Sequence, residues 1–308
     1  MKRQVSVALG GGGTKGYAHI GVLEALEEAG YEVVAVSGTS AGALVGALYA
    51  AGYSPSEILD WLQSVDPRHI FDRGSGDRPS ILGMQGIEAM LEKALGKRTF
   101  EELQRPFGAV AVDILSSHTV FLRGGPVARA ALASSAIPGI FPPIKWNQWL
   151  LVDGGLTDNV PVRLARLLAP GVPVVAVALG IMPPTLACFQ DMPVPIHLNL
   201  RLLQRIISRL RYTRAFHTFV RAAEVMTGHH TLLRLQIDRP EVILLPPVDE
   251  VDILATPKDP TPIVAAGRKV TEASLEDIAK ATSWRRWLRR PPEIEMHHTI
   301  IETRPPRT

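Results

Sequence analysis

Val33-Val34-Ala35-Val36-Ser37-Gly38-Thr39-Ser40-Ala41-Gly42 starts as a β-branched apolar run and stops abruptly in Gly38-x-Ser40-x-Gly42. Val33 to Val36 has the composition of a buried strand, and the small residues from Ala41 to Ala51 predict a helix. Ser40 therefore falls on the sharp turn between them. Glycines on both sides let the backbone bend tightly and keep side chains away from the hydroxyl, which is then presented at a helix N-terminus, the geometry of a nucleophile elbow. A serine that merely N-caps the helix would give the same pattern. On these ten residues alone both readings stand.

Upstream, Val5 to Leu9 predicts a first buried strand, followed at once by Gly10-Gly11-Gly12-Gly13-Thr14-Lys15-Gly16 and a helix from Tyr17 to Ala29 that Gly30 stops. The glycine loop has three functional readings. Gly11-x-Gly13-x-x-Gly16 matches a dinucleotide fingerprint, but the second strand then lacks its terminal acidic residue, ending in Ser37-Gly38 with Glu32 ahead of it. A P-loop requires Ser or Thr after Lys15, where Gly16 stands. The third reading is an oxyanion hole, in which glycine N–H groups face the charge that develops on an acyl carbonyl. A mere tight turn is a poor account of four successive glycines, each of which costs backbone entropy on folding.

Downstream, helices are expected over Pro55 to Leu62 and Gly86 to Leu95, and a strand pair over Phe107 to Asp113 and Thr119 to Leu122, turning at Ser116-Ser117. A helix from Val127 to Ser135 precedes a loop stiffened by Pro138, Pro142 and Pro143. Trp149 to Val152 is a short strand that delivers Asp153-Gly154-Gly155, residues 172 to 179 form another buried strand, Glu241 to Leu245 a late strand and Ile263 to Ala281 a late helix. Alternating helices and buried apolar strands imply an α/β protein with a mainly parallel sheet covered on both faces. Asp153 beside glycines reads as an ordinary turn former. With Ser40 at another strand end, the two also converge at the carboxyl edge of the sheet, where open α/β folds place their sites, and a carboxylate there can take the serine proton.

A chain of 308 residues with 26 glycines, 25 prolines and 6% aromatics is a turn-rich globular protein. A net charge of +3 gives no global field of the kind that attracts nucleic acid. The single cysteine, Cys188, has no intrachain partner and fits a reducing compartment. The apolar stretch after Lys2 and Arg3 is too short for a signal segment, and no run reaches membrane-span length. The expected location is cytoplasmic, with peripheral contact at the inner face of the membrane.

Three ordered motifs, Gly11-Gly12-Gly13-Thr14-Lys15-Gly16, Gly38-Thr39-Ser40-Ala41-Gly42 and Asp153-Gly154-Gly155, resemble the signatures of the patatin-like phospholipases. Ala18-His19-Ile20-Gly21-Val22-Leu23 and Ala133-Ser134-Ser135-Ala136-Ile137-Pro138-Gly139 agree with them, and the resemblance covers roughly the first 180 residues. It implies a three-layer α/β/α fold and a Ser-Asp dyad that hydrolyses acyl esters of lipids without cofactor or metal. Carried over by position, Ser40 is the nucleophile, Asp153 its base, and the backbone of Gly11, Gly12 and Gly13 the oxyanion hole. Thr14, Lys15, Gly16, Gly38, Gly42, Gly154 and Gly155 are the supporting motif residues. The acyl hydrolase domain is expected over 1–281, with a basic helical insertion at about 185–235 and a basic tail at 282–308. Its rivals are a nucleotide-binding or regulatory module without hydrolysis, and an esterase of the α/β-hydrolase type with a downstream histidine.

Six histidines (His197, His217, His229, His230, His297 and His298) follow Asp153, so the order Ser, Asp, His of that second rival is available. Such enzymes set the elbow after several strands, whereas here it follows the second. The adjacent pairs His229-His230 and His297-His298 point apart on any regular element, which favours surface residues over metal ligands. Residues 200 to 226 place six arginines among apolar residues at helical spacing, with Glu224 as the lone acid. That pattern fits a helix on an anionic membrane surface or a core-packed helix with a solvated basic face. Trp284 to Arg290 repeats the theme with tryptophans suited to a lipid interface.

Overall fold

The computed structural model describes residues 3–64, 83–180, 218, 221–251, 253, 257–283 and 301–302. The arginine-rich stretch up to residue 217 and the tail at 284–290 lie outside the described residues. The first half alternates β1 (Arg3–Leu9), α1 (Tyr17–Glu28), β2 (Tyr31–Thr39) and α2 (Ala41–Ala50), then α3 (Pro55–Gln63) and α4 (Gln85–Leu95). The second half comprises β3 (Phe107–Asp113), β4 (His118–Leu122), α5 (Val127–Ser134), β5 (Ile144–Trp146), β6 (Trp149–Asp153), α6 (Val162–Leu168), β7 (Val174–Val177), a helix α7 at residues 221–238, β8 (Val242–Leu244), α8 (Thr261–Ala273), α9 (Leu275–Ala281) and β9 (Ile301–Glu302).

The sheet runs β5-β6-β3-β2-β1-β7-β8, parallel from β3 through β8, with β4 on the other edge of β3 and β9 beside β4. Strand periodicity splits its apolar residues into two layers. Val5, Val7 and Leu9 face the larger core with α1, α2 and α4, whereas Ala8 shares the opposite core with Val162 and Ala165 of α6 and Leu235 of α7. β7 divides the same way, Val175 and Val177 to one side and Val174 and Ala176 to the other. The fold is thus a three-layer α/β/α sandwich. No helix among the described residues is long and apolar enough to cross a membrane.

Two features of β3 position the site. Its residues Phe107 to Val110 pair in parallel with Val36 to Thr39 of β2, while Ala111 to Asp113 pair antiparallel with Leu151 to Asp153 of β6. Since β4 occupies the other edge of β3 over Ala109 to Asp113, β2 and β6 must share one edge and meet head to head. Thr39 lies opposite Val110 and Asp153 opposite Ala111, neighbouring residues of one strand. The chain therefore turns out of β2 at Ser40 beside the residue that ends β6.

The helix expected over 200 to 226 runs on to residue 238. What extends it is a buried face at Gly228, Thr231, Leu235 and Asp238, helical spacing that holds it on the sheet.

Candidate active site

Ser40 is not an N-cap in the usual sense. A capping serine has extended backbone and its hydroxyl accepts from the first turn; Ser40 has φ 53 and ψ −123 and makes no such bond. A non-glycine residue in that region carries strain of about 1–3 kcal/mol. The surroundings hold it there: Ser40 N–H donates to Ser134 Oγ at 3.0 Å, and its carbonyl accepts from Ala43 and Leu44 at 2.8 and 3.1 Å. Ser134 Oγ in turn donates to the Val110 carbonyl at 2.6 Å. Gly38 and Gly42 have no room for side chains, because a Cβ on Gly38 would meet the backbone of Gly42 and one on Gly42 the Leu9 carbonyl.

The Ser40 side chain faces the carboxylate of Asp153 closely enough to lower its pKa, and that carboxylate accepts Gly155 N–H on Oδ1 at 2.7 Å. Both side chains are buried, at 7% and 6% exposure. Burial pushes the Asp153 carboxyl up from 3.8 to about 6, against the lowering effect of the bonds from Ser40 and Gly155. It is thus largely ionised at neutral pH while remaining a usable proton acceptor.

The glycine loop lies along the same cavity. Gly10 N–H donates to Val177 O at 2.9 Å, Gly11 N–H to Asn159 O at 3.1 Å and Thr14 N–H to Ile253 O at 3.0 Å. Gly12 and Gly13 N–H have no acceptor among the described residues. Of the Gly11 to Gly13 backbone expected to form the oxyanion hole, Gly11 has its N–H bonded to the loop after Asp153. Gly11 keeps a spacing role, since a Cβ there would lie 2.6 Å from Asn159 Oδ1 and 3.1 Å from the Ser40 Cβ. Behind the loop, His19 is fully buried with Nε2 2.7 Å from the Gly10 carbonyl. Burial lowers it to about 4, opposed by that bond, so it is neutral and donates through Nε2–H. Lys15 is buried and lines the cavity. Gly16 closes the turn against Ala41, and Gly154 packs on the Val110 backbone.

The cavity, about 210 Å³, joins Ser40, Asp153 and the Gly11 to Gly13 backbone to an apolar wall of Ile137, Pro138, Ile140, Leu156, Leu179 and Ile253. Its other wall is α7, through Arg221, Glu224, Val225, Gly228 and His229. Arg221 is paired with Glu224 at 2.7 Å, so part of the basic stretch is neutralised locally. His229 is exposed at the cavity edge. Sequence reasoning missed this wall, Ser134 and the Asn159 carbonyl. The buried face of α7 is mostly polar or glycine, at Gly228, Thr231 and Asp238, so it gave no apolar signal; Ser134 stood in a stretch that agrees with the family, but its hold on the Ser40 N–H is a tertiary contact that no local pattern marks.

A three-layer α/β/α sheet with a strained serine at the end of β2, set beside a buried carboxylate at the end of β6, defines a serine-carboxylate α/β protein. The family model for patatin-like phospholipase matches residues 7–166, and the chain belongs to that family. It is 40% identical over 162 residues to an uncharacterized NTE family protein of Mycobacterium tuberculosis, covering 52% of this chain and 44% of that one. It is 33% identical over 184 residues to patatin-like phospholipase domain-containing protein 6 of Mus musculus, covering 57% and 13%. These matches span less than half of the relatives' own length. The fold is similar to that of VipD from Legionella pneumophila, with a TM-score of 0.53 at 15% identity, covering 91% of this chain and 67% of that one.

Proposed function

We propose that the chain is a serine acyl hydrolase that cleaves fatty-acyl ester bonds of lipids through Ser40 and Asp153. The observation that carries this reading is the strained Ser40 set beside the buried Asp153 carboxylate, whose pKa the Ser40 hydroxyl lowers, with no imidazole between them among the described residues. Asp153 takes the hydroxyl proton as Ser40 Oγ attacks the ester carbonyl, and the oxyanion forms toward Gly12 and Gly13 N–H. The α2 N-terminus adds first-turn N–H groups that a helix leaves without acceptors. Asp153 then protonates the departing alcohol, leaving an acyl-Ser40 ester. Water attacks this ester and loses its proton to Asp153, which hands that proton to Ser40 Oγ as the C–O bond breaks and the fatty acid leaves. The apolar wall from Ile137 to Ile253 suits an acyl chain.

The nucleotide reading has less support, because a phosphate cradle needs successive free N–H groups, and those of Gly10, Gly11 and Thr14 are bonded to protein carbonyls. A histidine base has less as well: His229 stands at the cavity edge, while Asp153 already holds the Ser40 proton's place. The test is covalent labelling with a fluorophosphonate followed by intact mass and peptide mapping. One added label on the peptide carrying Ser40 is expected; no label, or a label elsewhere, rejects the reading.

Two further outcomes follow from the geometry. Ser134→Ala removes the acceptor for Ser40 N–H and the donor to Val110 O, and is expected to cost about 1–3 kcal/mol in melting analysis while lowering kcat more than it changes KM. Unchanged kcat would show that the elbow holds itself. The acid limb of kcat/KM is expected near pH 6, with activity falling about tenfold per pH unit below it, because protonated Asp153 accepts nothing. An acid limb near pH 4 would mean that burial does not raise Asp153.

A further inference from the structure

Asp158 takes no part in the chemistry above, yet its side chain is 2% exposed and neither carboxylate oxygen has a hydrogen-bond donor among the described residues. A buried carboxylate without donors is costly unless a cation compensates it. The cation comes from α7: Arg234 Nη2 stands 3.8 Å from Asp158 Oδ2 and 3.1 Å from Asp238 Oδ2, and Arg163 Nε of α6 holds the other oxygen of Asp238 at 2.7 Å. Burial pushes the Asp158 carboxyl up to about 7; Arg234 opposes the rise, Asp238 adds to it and Arg163 opposes it.

The position of Asp158 gives this pairing its reach. Asp158 N–H donates to the Gly154 carbonyl at 2.9 Å, closing the turn that begins at Asp153. Its own carbonyl accepts Thr39 Oγ1 at 2.9 Å, from the residue just before Ser40. The next residue, Asn159, accepts Gly11 N–H. The short segment from Asp153 to Asn159 is thereby tied to the elbow and to the glycine loop. Arg234 lies on the same helix as the cavity wall at Arg221 to His229, so one guanidinium joins that wall to the segment.

We infer that Arg234 is a positioning residue: by pairing with Asp158 and Asp238 it locks the Asp153–Asn159 segment and the α7 wall into one piece, which sets how Asp153 meets Ser40. The inference rests on the hydrolase reading for its kinetic consequence, while the locking itself is measurable without catalysis. The experiment takes the full chain as parent, Ser40→Ala, Arg234→Gln, Arg234→Lys and Asp158→Asn. It records kcat and KM on a fatty-acyl nitrophenyl ester, and amide hydrogen exchange over residues 153–159, at a temperature where circular dichroism shows each variant folded.

Arg234→Gln is expected to lower kcat by about tenfold to 10²-fold with little change in KM, since small displacements of reacting groups have effects of that size. Exchange over 153–159 should rise with it, and Arg234→Lys, which keeps the charge, should recover most of both. Asp158→Asn carries no charge that needs a partner, so it serves where Arg234→Gln does not fold, and the same direction of change is expected. Parent-like kcat and parent-like exchange in Arg234→Gln, or in Asp158→Asn if the former is unfolded, would overturn the inference. A parent without ester hydrolysis, or a fully active Ser40→Ala, rejects the hydrolase reading instead, and the exchange measurement then still decides whether Arg234 locks the segment.

Discussion

Ser40→Ala is expected to abolish ester hydrolysis, with a loss in kcat on the order of 10⁴-fold or more, while the chain stays folded. Alanine keeps the backbone arrangement that the site imposes, because the bonds that hold the elbow run through the Ser40 N–H and carbonyl to Ser134, Ala43 and Leu44 and do not involve its hydroxyl. What disappears is the atom proposed to form the acyl intermediate. Asp153 keeps Gly155 N–H but loses the Ser40 hydroxyl, one of the two groups that hold its carboxyl down, so its pKa rises further. Because a carboxyl in that position can take up a proton near neutral pH, the loss of the hydroxyl should cost little stability. Mass spectrometry after fluorophosphonate treatment, alongside turnover of a nitrophenyl ester, checks the result; retained turnover or a retained label would place the nucleophile elsewhere.

The elbow was legible because it is local: a β-branched run, a serine between glycines and a small-residue helix fix the turn without reference to the rest of the chain. Asp153 was legible only as a strand end beside glycines. Its meeting with Ser40 depends on β2 and β6 sharing one edge of β3, a tertiary pairing that no periodicity encodes. The glycine loop was legible as backbone without side chains, but which N–H groups remain free was not. Gly11 is committed to Asn159, more than a hundred residues away, and Thr14 to Ile253. The α7 wall was blurred for another reason. Its outward face carries Met226, Leu232, Leu233 and Ile237, all exposed, while polar Thr231 and Asp238 are buried on the inner face. An apolar stripe on the solvent side and polar residues within invert the usual signal, and the ion pairs through Arg234 and Arg163 are what make the inversion tolerable.

Asp153→Asn is expected to inactivate nearly as completely as Ser40→Ala, by about 10⁴-fold in kcat, and to leave the protein at least as stable at neutral pH. The amide preserves size and still accepts Gly155 N–H, but takes no proton as Ser40 attacks, so the nucleophile is never activated. Stability moves the other way because the parent holds this carboxyl at about 6 in place of 3.8, burial being the main cause. The folded state thus prefers the protonated acid. Relative to the unfolded chain, stability is greatest below pH 4 and is lost as pH rises through about 6. A rise of that size corresponds to about 3 kcal/mol, an order-of-magnitude figure, at about 1.4 kcal/mol per tenfold change in proton affinity. An uncharged amide escapes that cost, offset in part by its NH₂ group facing the Ser40 side. Thermal melts of parent and variant at pH 7 and pH 4.5 test this: the variant should gain on the parent at pH 7, and the gap should narrow to about a third of that at pH 4.5. His229→Ala, measured beside it, should keep most activity, because the Ser40 proton has no imidazole on its path. A loss at His229 equal to that at Ser40 would point to a triad instead, and a variant at Asp153 that stays active would reject Asp153 as the base.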